Sequence, residues 1–360
     1  MQDSFEGGLK VEDVFAAYLR DNAKLRAAVG APEGTVLEPQ YLGAGEHNRN
    51  FWFVEPASGR KYVLRVNVIS QPFHDDQVSY EFAALKALAP SGCTPEPVYL
   101  DSPSATFEKG AMVIGFCEGD ELDLDALRPG DLRCVAQLMA DVHAVPVAQD
   151  CALFRPGDPL RALYDECIER FETYYSSAYE DARLTRWARW FIDAAKPMLD
   201  TPVNPADCAH IINTEPLPSH FLISETAEAG EGHGLLSAAP GFFIDWERAI
   251  IGEPAQDVAY FTAPTTTFWD SERIMTAAEE SAFVEDYWRA VDGRFERGNF
   301  DARCRAYRAM TALRSVTWCC RALIQYGRDS QAHQTSKTAA KLPIYLSDDF
   351  MHLVAEQCFS

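Results

Sequence analysis

A glycine turn that runs directly into a second strand limits the folds open to this chain more than any other feature. Residues 11–29 (VEDVFAAYLRDNAKLRAAV) repeat apolar positions at helical spacing. The period then changes. TVLEPQYLGAGEHNRNFWFVEPASGRKYVLRVNV reads as three consecutive strands rich in aromatic and β-branched residues, with Gly43 and Gly45 in the first turn and Ala57-Ser58-Gly59 in the second. A dinucleotide site needs strand, glycine turn and then helix, whereas here the turn is followed at once by NFWFV. No G-K-[ST] occurs, so a Walker-type phosphate loop is excluded too. A plain hairpin and a glycine loop laid over phosphates both fit this pattern.

Downstream, SYEFAALKALA reads as an amphipathic helix and GAMVIGF as a buried strand ending at Glu118-Gly119, a linker or hinge. From Asp131 to His143 the spacing puts Leu132, Val135, Leu138, Met139 and Val142 on one helical face. Helical patterns run through residues 160–200, followed by the extended patches HIINTEPL, HFLIS and GFFIDWE. Between the last two, SETAEAGEGHGLLSAAP has the composition of a mobile surface loop, and from about residue 270 the pattern is helical again. Strands with one helix thus come first, then a mostly helical part. At 360 residues the chain can form two domains.

Composition narrows the partners. A formal charge of −22 argues against nucleic acid and anionic membranes. It is compatible with a cationic substrate and equally with an acid excess that only maintains solubility. The apolar runs are too short to span a membrane, and MQDSFEGGLKVED has no secretory h-region. Ten cysteines without a C-x-x-C pair fit a reduced, cytoplasmic setting better than a zinc cluster or a disulfide framework.

Three groups carry chemistry. Arg65 in KYVLRVNV stands where a kinase's third strand places a phosphate-holding cation, and Glu81 on the next helix is its natural partner. A plain charge on a strand face is the competing reading, and the apolar neighbours Val63, Leu64 and Val66 disfavour it. Asp245 and Glu247 in IDWE end an apolar strand and offer the hard oxygens that suit Mg²⁺ on phosphates. Asp257 in GEPAQDVAYF falls at a helix start, where a carboxylate can cap backbone N–H groups.

Together G-x-G-x-x-N (Gly43, Gly45, Asn48), VLR, the helix glutamate, IDWE and GEPAQD resemble the aminoglycoside phosphotransferase and choline kinase superfamily over most of residues 35–325. VLRV and IDWERA look closer to its choline/ethanolamine branch. The resemblance implies an α+β, protein-kinase-like two-lobed fold: a small antiparallel-sheet lobe over residues 1–117 and a larger, mainly helical lobe over 118–360. It implies transfer of a phosphate from ATP or GTP, with Mg²⁺, to the hydroxyl of a small molecule by a monomer or homodimer. Gly43, Gly45, Asn48, Arg65, Glu81, Val113 and Phe116 would then bind nucleotide. Asp245 would hold Mg²⁺ with help from Glu247, Asp257 and His143 would be structural, and Trp318, Tyr326 and Trp288 would be candidates for a cationic substrate.

The catalytic loop departs from the family. Where H-x-D-x-x-x-x-N is expected, this chain has Asn213-Thr214-Glu215-Pro216-Leu217-Pro218-Ser219-His220. Glu215 keeps the catalytic carboxylate with roughly 1.5 Å more reach. His220 takes the asparagine's metal position, although imidazole suits softer metals and can instead donate to phosphate. These changes leave a nucleotide-binding pseudokinase as the alternative to an active transferase. No G-x-S-x-G or H-E-x-x-H supports a hydrolase.

Overall fold

A computed structural model of the chain describes residues 11–45, 48–69, 76–103, 106–224, 241–328 and 337–359. The expected mobile loop, at 224–240, lies outside them except for Ser224. The chain divides into two compact units. One takes in Met1–Gly119, Ala148–Leu153 and Gly241–Ala249, the other Asp120–Val147, Phe154–Pro240 and Ile250–Ser360.

The first unit begins with two helices, α1 (Val11–Asp21) and α2 (Ala23–Ala28), where the periodicity predicts one. Asn22 interrupts them by accepting a bond from the Leu25 N–H, an N-cap that favours a fresh start over continuation. The predicted strands follow as β1 (Gln40–Ala44), β2 (Asn48–Val54) and β3 (Lys61–Asn67), then helix α3 (Gln77–Leu88), β4 (Pro97–Asp101) and β5 (Ala111–Gly115). They form an antiparallel sheet in the order β1-β2-β3-β5-β4. Sequence periodicity does not reveal β4, a half-buried run beside two prolines, which a sheet tolerates at its edge.

Alternation decides which side chains reach which face. Phe51, Phe53, Tyr62, Leu64, Val66, Ala111 and Val113 pack with Phe15, Tyr18, Leu19, Leu25 and Val29 of the leading helices in one core. The Phe15 and Phe51 rings stack with centroids 4.0 Å apart. Arg65, of the opposite parity to Leu64 and Val66, is left on the other face of β3.

The second unit is built from α4 (Asp131–His143), α5 (Pro159–Tyr175), α6 (Ala182–Ala195), α7 (Pro254–Thr262), α8 (Pro264–Asp270), α9 (Ala277–Val291), the long α10 (Phe300–Arg328), α11 (Lys337–Tyr345) and α12 (Asp348–Phe359). Strands His210–Ile212 and Ile250–Gly252 pair antiparallel within it. Gly252 leaves room there for Ile212, whose terminal methyl would lie 2.7 Å from an added Cβ and would have to shift. Immediately after it, Glu253 is buried against α10: Arg303 Nε donates to Glu253 Oε2 at 2.6 Å and the Tyr307 hydroxyl to Oε1 at 2.6 Å. Removing the cation strands a carboxylate out of water. Arg303→Met should therefore lower stability by about 3–5 kcal/mol, read as the shift in the denaturant midpoint, while Arg303→Lys should lose less.

Candidate active site

In the first unit, four residues singled out in the sequence meet around one guanidinium. Arg65 Nε lies 3.0 Å from Glu81 Oε2, and Nη2 lies 3.0 Å from Asp245 Oδ1 and 3.3 Å from Glu247 Oε2. Strand alternation aims Arg65 at this point, and α3, started by Asp76 accepting from the Ser79 N–H, brings Glu81 to it. Trp246 supplies the third support. Its ring is fully buried against Phe243, and its indole N–H donates to the Phe243 carbonyl at 2.8 Å, so the flanking Asp245 and Glu247 face the guanidinium. The backbone pays for this turn with φ +64° at Asp245, an uncommon conformation for a residue with a Cβ. The Tyr80 hydroxyl donates to the Ala249 carbonyl at 2.6 Å and ties the end of the segment to α3.

Glu247 Oε2 also accepts from Asn48 Nδ2 at 2.9 Å and Gln77 Nε2 at 2.7 Å. Asn48 is thus held within the group. Gln77 was not anticipated, since a glutamine at the first position of a helix carries no distinctive sequence signal.

Three carboxylates share one cation. Burial, and the charges of Asp245 and Glu247, push the Glu81 carboxyl up to about 8 against the pull of Arg65 and the Trp246 N–H. A further cation would suit this excess of negative charge. Among the described residues no three His, Cys, Asp or Glu side chains form a ready metal cage. Mg²⁺ commonly takes one or two carboxylates and completes its shell with phosphates and water, and the hard oxygens of Asp245 and Glu247 fit that habit.

The second unit frames the departed loop. His143 is completely buried, with Nδ1 2.9 Å from the Tyr287 hydroxyl and Nε2 3.2 Å from Asp257 Oδ2. Burial first, then the nearby Asp257 charge, raises Tyr287 well above the usual phenol range. A carboxylate only accepts, so with Asp257 ionised Nε2 carries the proton, and in the neutral ring Nδ1 accepts from the Tyr287 hydroxyl. Asp257 does not cap the start of its own helix as its position suggested. It sits inside α7 and accepts instead from the N–H groups of Asn213 at 2.7 Å and Thr214 at 2.8 Å. These bonds hold Thr214 at φ +74°, which a β-branched residue adopts only under constraint.

Glu215 follows directly. Its N–H donates to Asn213 Oδ1 at 3.1 Å, and its carboxylate is ion-paired with Arg314 of α10, a partner the sequence reading missed. Arg314 Nη1 also donates to the Thr214 carbonyl at 3.2 Å. Further along, the Ser219 N–H and hydroxyl donate to Asp270, which is paired with Lys337, and His220 lies half-buried at the end of a short 3₁₀ turn.

The sequence pattern of the phosphotransferase enzyme family matches residues 39–208. No curated protein matches the chain. Among solved structures, an ethanolamine kinase from Plasmodium vivax superposes with a TM-score of 0.62 at 13% identity, covering 98% of this chain and 93% of that one. A choline kinase from Cryptosporidium parvum gives 0.59 at 13% identity, covering 94% and 98%. A spectinomycin phosphotransferase solved with ADP and spectinomycin gives 0.60 at 10% identity, covering 89% and 92%. The chain is thus similar in sequence to this family over residues 39–208, and similar in fold to these kinases. Its fold is the α+β, kinase-like one that the resemblance implied, with a small antiparallel sheet and a larger helical part. Among the described residues no helix is long and apolar enough to cross a membrane.

The family match covers the glycine turn, Arg65 and Glu81 and ends before Glu215, His220, Asp245 and Glu247. Gly43 lies in β1, and the Gly45 N–H donates to the Asn48 carbonyl at 3.0 Å, while residues 46–47 lie outside the described residues. Val113 is not brought to the Arg65 group, because it is fully buried in the core on the other face of the sheet. Phe116, after β5, packs against Trp52 with Lys61 above its ring. Trp288 is enclosed by Phe295 and Phe300 and capped by Arg297 at 5.5 Å. Trp318 packs edge-on to Trp269, one helical turn beyond Arg314, and the Tyr326 side chain lies outside the described residues.

The raised Glu81 carboxyl has a definite sign. Between its ordinary 4.5 and about 8 the folded protein holds a proton that the unfolded chain has lost, so this group makes stability fall as pH rises through that window. In chelator-treated protein, the difference in unfolding free energy between wild type and Glu81→Gln should slope downward from pH 5 to 8. A flat difference would show that Glu81 is ionised throughout.

Proposed function

We propose that this protein moves the terminal phosphate of ATP or GTP to a hydroxyl of a small molecule. The observation that carries the reading is Arg65 ringed by Glu81, Asp245 and Glu247, a charge group suited to phosphates and a divalent cation. Gly43 and Gly45 support it from the same unit. Neither has a positive φ, and a Cβ on either would meet nothing within 4 Å, so the fold itself does not demand glycine there. Glycine there leaves the backbone open to close approach of a ligand.

Arg65 neutralises phosphate charge, and Glu81 holds its side chain in place. Asp245, with Glu247, would hold Mg²⁺, which when bound neutralises charge on the β- and γ-phosphates. Glu215 takes the proton of the substrate hydroxyl. The substrate oxygen then bonds to the γ-phosphorus as the bond to the β–γ bridging oxygen breaks, and the nucleoside diphosphate leaves. His220, with two ring nitrogens, serves as a donor to phosphate rather than as a ligand to a hard metal.

One observation favours a second reading, a pseudokinase that binds nucleotide without transfer. Glu215 is committed to an ion pair with a buried arginine, which occupies one of its carboxylate oxygens. Nucleotide turnover across amino alcohols, aminoglycosides and sugars, with calorimetry of Mg-nucleotide binding, separates the two. The transferase reading expects turnover that drops at least about 10²-fold in Glu215→Ala and in Asp245→Asn. Tight binding with no turnover on any substrate selects the pseudokinase, and no nucleotide binding at all removes both.

A further inference from the structure

We infer that Arg314 is the positioning residue of Glu215, and that the two form a matched pair replacing the shorter aspartate expected at this point of the loop. The inference rests on the transferase reading for its consequence and on the geometry of the second unit for its substance.

Arg314 projects from α10, a helix almost a hundred residues downstream of the loop in sequence, and its side chain is 7% exposed. One guanidinium nitrogen pairs with Glu215 Oε1 and the other donates to the Thr214 carbonyl. The planar fork therefore grips a side chain and the backbone just before it, something a lysine ammonium cannot reproduce with fixed geometry. Its face lies over the Tyr260 ring at 5.8 Å, and Tyr260 belongs to α7, the helix that also carries Asp257. The loop is thus held from two sides. Asp257 takes the N–H groups of Asn213 and Thr214, and Arg314 takes the carbonyl of Thr214 and the carboxylate of Glu215.

This arrangement explains the choice of glutamate. A buried cation clamping one carboxylate oxygen draws the longer side chain back toward α10 and fixes the direction in which the carboxylate points. Glu215 retains 31% side-chain exposure, so the carboxylate is not sealed by the pair. An aspartate, roughly 1.5 Å shorter, would lose the clamp.

The test compares Arg314→Met, Arg314→Lys, Glu215→Asp and Arg314→Met/Glu215→Asp with the wild-type chain by steady-state turnover and by hydrogen exchange of residues 213–220, each at a temperature where melting curves show the variant folded. Arg314→Met should cut kcat about 10²-fold with the nucleotide KM nearly unchanged, and Arg314→Lys should recover part of the loss. Glu215→Asp should cost a similar factor alone and little more when Arg314 is already gone, the non-additivity of a coupled pair. Exchange of the segment should accelerate in Arg314→Met and stay near wild type in Arg314→Lys. Strictly additive losses, or full kcat in folded Arg314→Met, would overturn the inference. If the wild-type chain turns over nothing, the transferase reading fails by itself, and exchange decides the clamp: unchanged protection in Arg314→Met removes it. Should Arg314→Met not fold, Arg314→Gln takes its place with the same expectations.

Discussion

Arg65 is one positive charge set among three carboxylates and nearly out of water, and much of the first unit is arranged to keep it there. Taking a guanidinium and its partners from solvent is costly unless the geometry and the remaining hydrogen bonds are good. The sheet meets that condition by giving its other face to an aromatic core with α1 and α2, which leaves the Arg65 side of β3 free for polar work. Helix α3 contributes Glu81 and Gln77, and buried Trp246 pins a strained turn so that Asp245 and Glu247 complete the ring. Burial first, and then the charges of Asp245 and Glu247, raise Glu81, and the excess of negative charge makes the group receptive to a cation.

In the second unit, Asp257 has the corresponding part. A fully buried carboxylate accepts two backbone N–H groups and a histidine proton, and so stabilises a left-handed threonine that the chain would otherwise avoid. The stored strain sets the direction in which Glu215 leaves the backbone. His143 and Tyr287 extend the network into α4 and α9, so the loop is built on helices rather than on itself.

Much of this was legible before any coordinates. The switch from helical to strand period located β1 to β3, the apolar SYEFAALKAL pattern located α3, and the acids closing an apolar strand marked Asp245 and Glu247. Other features left weaker traces. The edge strand β4 hides beside its prolines, and the Asn22 break reads as one continuous helix because a single capping bond outweighs propensity there. Asp257 was recognised as structural, but its partners were not, because they lie more than forty residues away.

The sequence by itself determined the class of fold and the residue types able to handle phosphates, because strand alternation, helical period and the clustering of hard oxygens are local and survive in a string of letters. Only the tertiary structure decided that Arg65 meets three carboxylates at once, that Asp257 serves another segment rather than its own helix, and that Glu215 is clamped by Arg314. Each of these depends on ion pairs and hydrogen bonds between residues far apart in the chain, whose distance and burial no spacing rule encodes.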